Sequence, residues 1–192
     1  MTSKPEIRTK RLLITPFREK HLTQRYVGWL NDPDLMRYSE NRHKDHTLAS
    51  CHAYWKSFDG TPNIFWAIEE VETGNSHIGT INAYIDKNNL LADIGILIGE
   101  KKAQNKRYGV EVWSGVCEYL FRETGIRKLS AGTMSVNVPM VKLMHSVGMV
   151  NDGVRKKHYL FNGKQVDILY LAFFREQWDE KRLILKGKGY LI

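Results

Sequence analysis

Hydrophobic and polar positions follow three successive textures along the chain. From 8 to 17 the run Leu12-Leu13-Ile14 stops at Thr15-Pro16, which predicts a first strand closed by proline. Leu22, Tyr26, Trp29 and Leu30 then recur at helical spacing until Asn31-Asp32-Pro33 breaks the pattern. A polar connector, Arg37 to His43, leads to a second helix capped by Thr47, with Cys51, Tyr54, Trp55 and Phe58 inward and Gly60 as its stop. From Asn63 the period shortens to that of strands. Runs at 64–71, 77–85 and 90–99, separated by polar turns, predict a three-stranded antiparallel meander.

The helical period returns after Tyr108, where Trp113, Val116, Cys117, Leu120 and Phe121 form one apolar stripe that ends before Gly125. A short strand at 127–134 makes 92–134 a β-α-β crossover joining parallel strands. A further helix opens at Asn137-Val138-Pro139 and buries Met140, Leu143, Met144 and Val147 before Gly148. Strands at 149–161 and 165–174 meet at Asn162-Gly163, a hairpin signal, and a short terminal helix with a frayed end follows from Arg175. The sum is an α+β fold: one domain over 1–192, a mixed, mostly antiparallel sheet of about seven strands, four main helices and one crossover.

Composition changes this picture little. With 42% apolar residues in 192, one chain can bury a sizeable core. Cys51 and Cys117 fall on apolar helix faces and read as reduced core residues. The N-terminus is too polar for a secretory signal, and the longest apolar run, Ile168 to Phe174, is too short to span a bilayer, so a cytoplasmic location without a membrane partner is expected. His43, His46, Cys51 and His52 lack a second pair at ligand spacing, and no metal site is expected. The run Arg155-Lys156-Lys157-His158 lies within a strand and reads as a solvated edge rather than a nucleic-acid patch.

Net charge matters more. An excess of +8 suits an anionic partner. The stretch 92–110 shows where one could dock. An apolar strand feeds the basic turn Lys101 to Gly109, which opens a helix whose first-turn N–H groups have no intrahelical partner. A phosphorylated ligand is the expected occupant.

Ala92-Asp93-Ile94 stands twelve residues ahead of Gln104-x-x-Arg107-x-Gly109, and Asn137 is followed by Met140, Leu143, Gly148 and Met149. With the element order, these residues resemble the GNAT superfamily of acetyl-CoA-dependent N-acetyltransferases, whose pyrophosphate loop reads Q/R-x-x-G-x-G/A. Arg107 stands where that loop has its first glycine, and Met144 where the family often has a tyrosine that reprotonates the coenzyme thiolate. Arg8-x-x-Arg11-Leu12, Trp29 to Pro33, Gly153, Gly163 and Asp167 are similar to the RimJ/RimL-like branch and to related amino-sugar acetyltransferases.

The resemblance implies acetyl-CoA as co-substrate, with pantetheine along Ile96, Leu97 and Ile98. It places the pyrophosphate at Gln104, Asn105, Lys106, Arg107, Tyr108, Gly109 and Val110, and puts Asn137 and Leu143 beside the cofactor. It aligns Asp93 with the family's catalytic glutamate as general base. A backbone N–H near Leu97 is the expected oxyanion donor, because the strand should splay from its neighbour there. Tyr159, Tyr84 and Ser135 are the candidates for the missing acid, none favoured by spacing, and release of thiolate to water is the alternative. Tyr38, Glu40, Trp66 and Tyr84 are expected to line an acceptor pocket for a protein N-terminus, an amino sugar or a small amine. The rival expectation is a non-catalytic module of this fold holding RNA or an acidic partner. Nucleic acid is not the favoured ligand, and oligomeric state, a homodimer included, is left open.

Overall fold

The computed structural model describes residues 5–192. Its elements run β1 (Ile7–Arg8), β2 (Leu12–Pro16), α1 (Gln24–Leu30), α2 (Pro33–Met36), α3 (Leu48–Lys56), β3 (Ile64–Glu70), β4 (Ser76–Asp86), β5 (Leu91–Ile98), α4 (Tyr108–Glu123), β6 (Lys128–Met134), α5 (Val138–Val147), β7 (Val150–Phe161), β8 (Lys164–Phe174) and α6 (Trp178–Gly187). All strands join one sheet in the order β1-β2-β3-β4-β5-β6-β8-β7. Among the described residues only β5 and β6 pair in parallel, as a crossover through α4 requires.

Two counts depart from expectation. Among the described residues the sheet has eight strands rather than about seven, because 8–17 is broken by a tight turn in which Leu12 N–H donates to Thr9 Oγ1 at 3.2 Å. Five helices of seven or more residues, counted over the described residues, stand in place of four, because the terminal helix α6 is ten residues long. Asn31-Asp32-Pro33 does end α1, but Asp32 Oδ1 also caps α2, accepting from Asp34 N–H at 2.9 Å.

The sheet is covered on both faces. Toward α4 and α5, Leu12, Ile14, Trp66, Ile68, Ile81, Ala83 and Ala92 pack on the α4 stripe Trp113, Val116, Cys117, Leu120 and Phe121, all essentially inaccessible. On the other face Phe17, Phe65 and Ala67 pack on Tyr26, Val27, Trp29, Cys51 and Phe58 from α1, α3 and the turn that follows α3. The chain leaves β7 as an edge strand, with its polar residues exposed and two register shifts, between Asn151 and Gly153 and between Arg155 and Tyr159. Asn162 and Gly163 both adopt positive φ, as a tight hairpin turn demands. No helix among the described residues is long and apolar enough to cross a membrane.

Candidate active site

Parallel pairing of β5 with β6 covers only Leu91, Ala92 and Asp93 against Lys128, Leu129 and Ser130. β6 pairs with β8, and β5 with β4, along their full lengths, but beyond Asp93 and Ser130 the facing edges of β5 and β6 are unpaired, so a cleft opens along Ile94 to Ile98. Its volume, roughly 2190 Å³, exceeds what one small ligand needs and leaves room for two substrates.

The open edge of β5 has a definite polarity. Gly99 N–H donates to Ile78 O at 3.0 Å, and amides in an antiparallel ladder alternate sides. Counting back in twos turns the amides of Leu97, Gly95 and Asp93 toward β4 and presents those of Ile98 and Ile96 to the cleft. The expected donor at Leu97 therefore faces the sheet, and its two neighbours carry the free N–H groups. Gly95 keeps this wall thin, since a Cβ there would lie 2.8 Å from Asn82 Oδ1.

At one end of the cleft lies the turn before α4. Arg107, where the pattern calls for glycine, is the N-cap of α4 with φ +61 and ψ 20, so it adopts the left-handed conformation that glycine takes freely. The turn geometry survives the substitution. At Gly109 the approach is close: a Cβ there would lie 2.5 Å from Leu143 Cδ1, so a side chain would push that methyl aside. Gln104, Asn105, Arg107, Tyr108, Gly109, Val110, Asn137 and Leu143 all line the cleft.

Asn137 is also occupied locally: its Oδ1 accepts from Met140 N–H at 3.4 Å, capping α5, and its Nδ2 donates to Thr133 Oγ1 at 3.0 Å. Lys106, by contrast, turns away and does not line the cleft; its Nζ sits 3.1 Å from Glu70 Oε1. Tyr108 also donates a short hydrogen bond to that carboxylate. Burial, then this hydrogen bond, pushes the Tyr108 phenol up to about 12, and the same bond holds the Glu70 carboxyl below its ordinary range.

Behind the turn, Glu111 is fully buried on α4 and accepts from Thr9 Oγ1 (2.7 Å), Arg11 N–H (2.8 Å) and Arg11 Nε (2.7 Å). Arg11 in turn donates from Nη1 to Lys106 O at 3.1 Å and stacks over the Tyr108 ring. The turn is thus braced from beneath by groups distant in sequence.

The other end of the cleft is lined by Tyr38, Glu40, Tyr54, Tyr84, Tyr159 and Tyr170, with Asp34 and Asp45 adding negative charge and Arg37 and Lys44 offsetting part of it. Tyr54 and Tyr84 share a hydrogen bond of 2.9 Å between their hydroxyls. Burial pushes the Tyr54 phenol upward, so it stays protonated. Tyr38 stacks on Phe161, and Arg42 Nη2 donates to Leu160 O at 3.1 Å, which ties the 37–43 segment to the β7–β8 hairpin.

Three expected site residues lie elsewhere. Besides Lys106, Asp93 is exposed just short of the opening, where β5 and β6 still pair, and accepts a short hydrogen bond from Ser130 Oγ. It is cross-strand from Tyr84. Trp66 is completely buried on the α4 face, donating to Pro5 O at 3.0 Å, whereas the residues of β3 and β4 that line the cleft (Phe65, Thr80, Asn82, Tyr84) are on the opposite face. Of the acid candidates, Tyr84 and Tyr159 line the cleft and Ser135 does not; Met144 is buried in the core.

Tyr54 was hidden from sequence reasoning because its helical spacing marks it as core. Lys188 and Tyr190, which also line the cleft, were hidden because the tail carries no motif.

The model of the acetyltransferase (GNAT) domain family matches residues 11–150. An uncharacterized N-acetyltransferase, YnaD of Bacillus subtilis (strain 168), is 30% identical over 76 residues, which is 40% of this chain and 45% of that protein, so the match spans under half of the relative's length. Spermidine N-acetyltransferase from Vibrio cholerae, solved with CoA and spermine, superposes with a TM-score of 0.78 at 15% identity, covering 88% of this chain and 99% of that one. RimL, a ribosomal alpha-N-protein acetyltransferase in complex with coenzyme A, gives 0.77 at 14%, covering 88% and 98%.

Proposed function

The chain belongs to the GNAT acetyltransferase family, and from that premise we propose that it moves the acetyl group of acetyl-CoA directly to a primary amine held at the tyrosine-lined end of the cleft. The early end of β5–β6 pairing carries this reading: it leaves an apolar strand edge with two free amides beside a cationic turn. That arrangement fits a long ligand with an amide-bearing arm and a phosphorylated head.

Bound there, acetyl-CoA supplies a thioester carbonyl. The amides from Asn105 to Val110 meet its pyrophosphate. The Ile96 and Ile98 N–H groups would donate to the arm and to the carbonyl oxygen, and would stabilise negative charge that develops on that oxygen. Direct transfer is favoured over an acyl-enzyme because burial pushes both cysteine thiols up, so neither offers a thiolate. As the N–C bond forms and the C–S bond breaks, one proton leaves the amine and one reaches sulfur. We assign the donor to the Tyr54–Tyr84 pair in place of the absent tyrosine at Met144. Asp93, one position outside the cleft and across from Tyr84, would draw the amine proton through Tyr84 or a water.

The acceptor class follows the neighbours named above, a polyamine enzyme and an alpha-amine enzyme, and the carboxylates Asp34, Glu40 and Asp45 suit a cationic amine on arrival. Isothermal titration with acetyl-CoA is the first test, and no heat at high micromolar ligand sinks the proposal. Thiol release against peptides with free N-termini, amino sugars and polyamines then identifies the acceptor.

A further inference from the structure

The phosphate-facing end of the cleft holds more positive charge than a cradle of backbone amides uses. Two basic side chains of the turn are already engaged: Lys101 Nζ lies 3.0 Å from Asp32 Oδ2, and Lys106 Nζ lies 3.1 Å from Glu70 Oε1. Arg107, Lys142 and Lys188 line the cleft and have no carboxylate partner among the described residues. They come from three segments: the turn itself, α5 and the tail beyond α6.

Chain geometry brings these segments together. Lys142 precedes Leu143, whose side chain fills the space over Gly109, two residues from Arg107. The tail is anchored through α6, where Trp178 Nε1 and Arg182 Nε each donate to the Glu118 carboxylate at 2.7 Å. Beyond the helix, Gly189 takes φ +75 and Tyr190 N–H donates to Leu185 O at 3.0 Å, which turns the tail back on itself. Arg107 Nη1 then donates to Tyr190 Oη at 3.4 Å, closing the tail over the turn.

Unopposed cations held near one another repel, and a bound dianion removes that repulsion. Coenzyme A carries two anionic groups, a pyrophosphate and a phosphate monoester on the ribose; the second carries nearly two charges at neutral pH. The amides of the turn serve the first. We infer that Arg107, Lys142 and Lys188, with Tyr190 orienting Arg107, form a subsite for the ribose 3′-phosphate. The C-terminal tail, outside the matched 11–150 region, is then part of the coenzyme site. The inference rests on the acetyl-CoA reading above.

The test compares titration of coenzyme A and 3′-dephospho-coenzyme A, which differ only by that phosphate, on the full chain. The wild type is expected to bind coenzyme A about tenfold more tightly or better. Lys188→Ala and Lys142→Ala are each expected to shrink that ratio several-fold, with the loss confined to coenzyme A, and Lys188→Arg to keep most of it. A ratio near one in the wild type, or one unchanged in both alanine variants while both ligands bind, overturns the subsite and leaves the transfer reaction standing. Failure of the wild type to bind either ligand overturns both.

Discussion

At Arg107, one backbone conformation separates geometry from chemistry. A non-glycine residue in the left-handed region costs about 1–2 kcal/mol, and a glycine relieves it while adding unfolded-state entropy worth about 0.5–1 kcal/mol. Arg107→Gly is therefore expected to change unfolding free energy by no more than about 1 kcal/mol in either direction while weakening coenzyme binding several-fold. Chemical denaturation and titration check the two halves, and unchanged affinity would show that the guanidinium contributes nothing to phosphate.

The cleft tyrosines separate in the same way. Tyr84→Phe removes the hydroxyl bonded to Tyr54 and should lower kcat roughly 10²-fold with little effect on the KM for acetyl-CoA. Asp93→Asn, acting one step removed, should cost less than Tyr84→Phe. If Asp93→Asn proves the more damaging of the two, the order of roles assigned above is reversed.

Among the elements, α4 does most to position the cleft, and its attachment runs through Glu111. Glu111→Gln leaves the Arg11 guanidinium without a countercharge and is expected to cost roughly 2 kcal/mol in stability. Because Arg11 also holds Lys106 O, the variant should raise the KM for acetyl-CoA as well; a stability loss with KM unchanged would confine Glu111 to the core.

Elements of this kind were legible where one face is buried and the other wet: the α4 stripe, the Asn162-Gly163 turn and the strand–turn–helix around Gly109 all carry their own local signal. Legibility failed where the deciding partner is far away. All seven residues of β3 are buried, so no alternation indicated which face Trp66 would take. The turn dividing β1 from β2 rests on the Thr9 hydroxyl, in a run without glycine or proline. Lys106 and Arg107 look equivalent in sequence, and only Glu70 tells them apart. The tail looked frayed because Glu118, its anchor, lies sixty residues upstream of Trp178.

Over the whole molecule, acid stability should report on a buried aromatic-histidine cluster. His77 is packed among Phe17, Tyr26, Trp29 and His21, its Nε2 donates to Gly79 O at 2.9 Å, and its Nδ1 has no partner among the described residues. Burial, with His21 adding to it, pulls its pKa from 6.5 down to about 3. The unfolded chain binds this proton below pH 6.5 and the folded chain does not, so stability is full above 6.5 and falls as pH drops toward 3. The slope from this group is about 1.4 kcal/mol per pH unit at most. Denaturation curves at pH 7 and pH 5 should converge more closely in His77→Phe than in the wild type. The net charge of +8 offers a second whole-molecule measurement. Acetyl-CoA should raise the melting temperature, whereas a gain from RNA that vanishes with salt would point to the non-catalytic alternative.

The short pairing of β5 with β6 has a further consequence for the timescale of opening. Without ligand, the Ile96 and Ile98 amides face the cleft, whereas those of Gly95 and Leu97, toward β4, lie inside a ladder. Solvent deuterium should therefore replace hydrogen at Ile96 and Ile98 within the fastest class of strand amides, while Gly95 and Leu97 exchange slowly. If coenzyme A fills the missing edge of the strand, as proposed, it should slow the first pair without moving the second. The alternation of protection along four consecutive residues would then read directly how much of the enzyme is loaded.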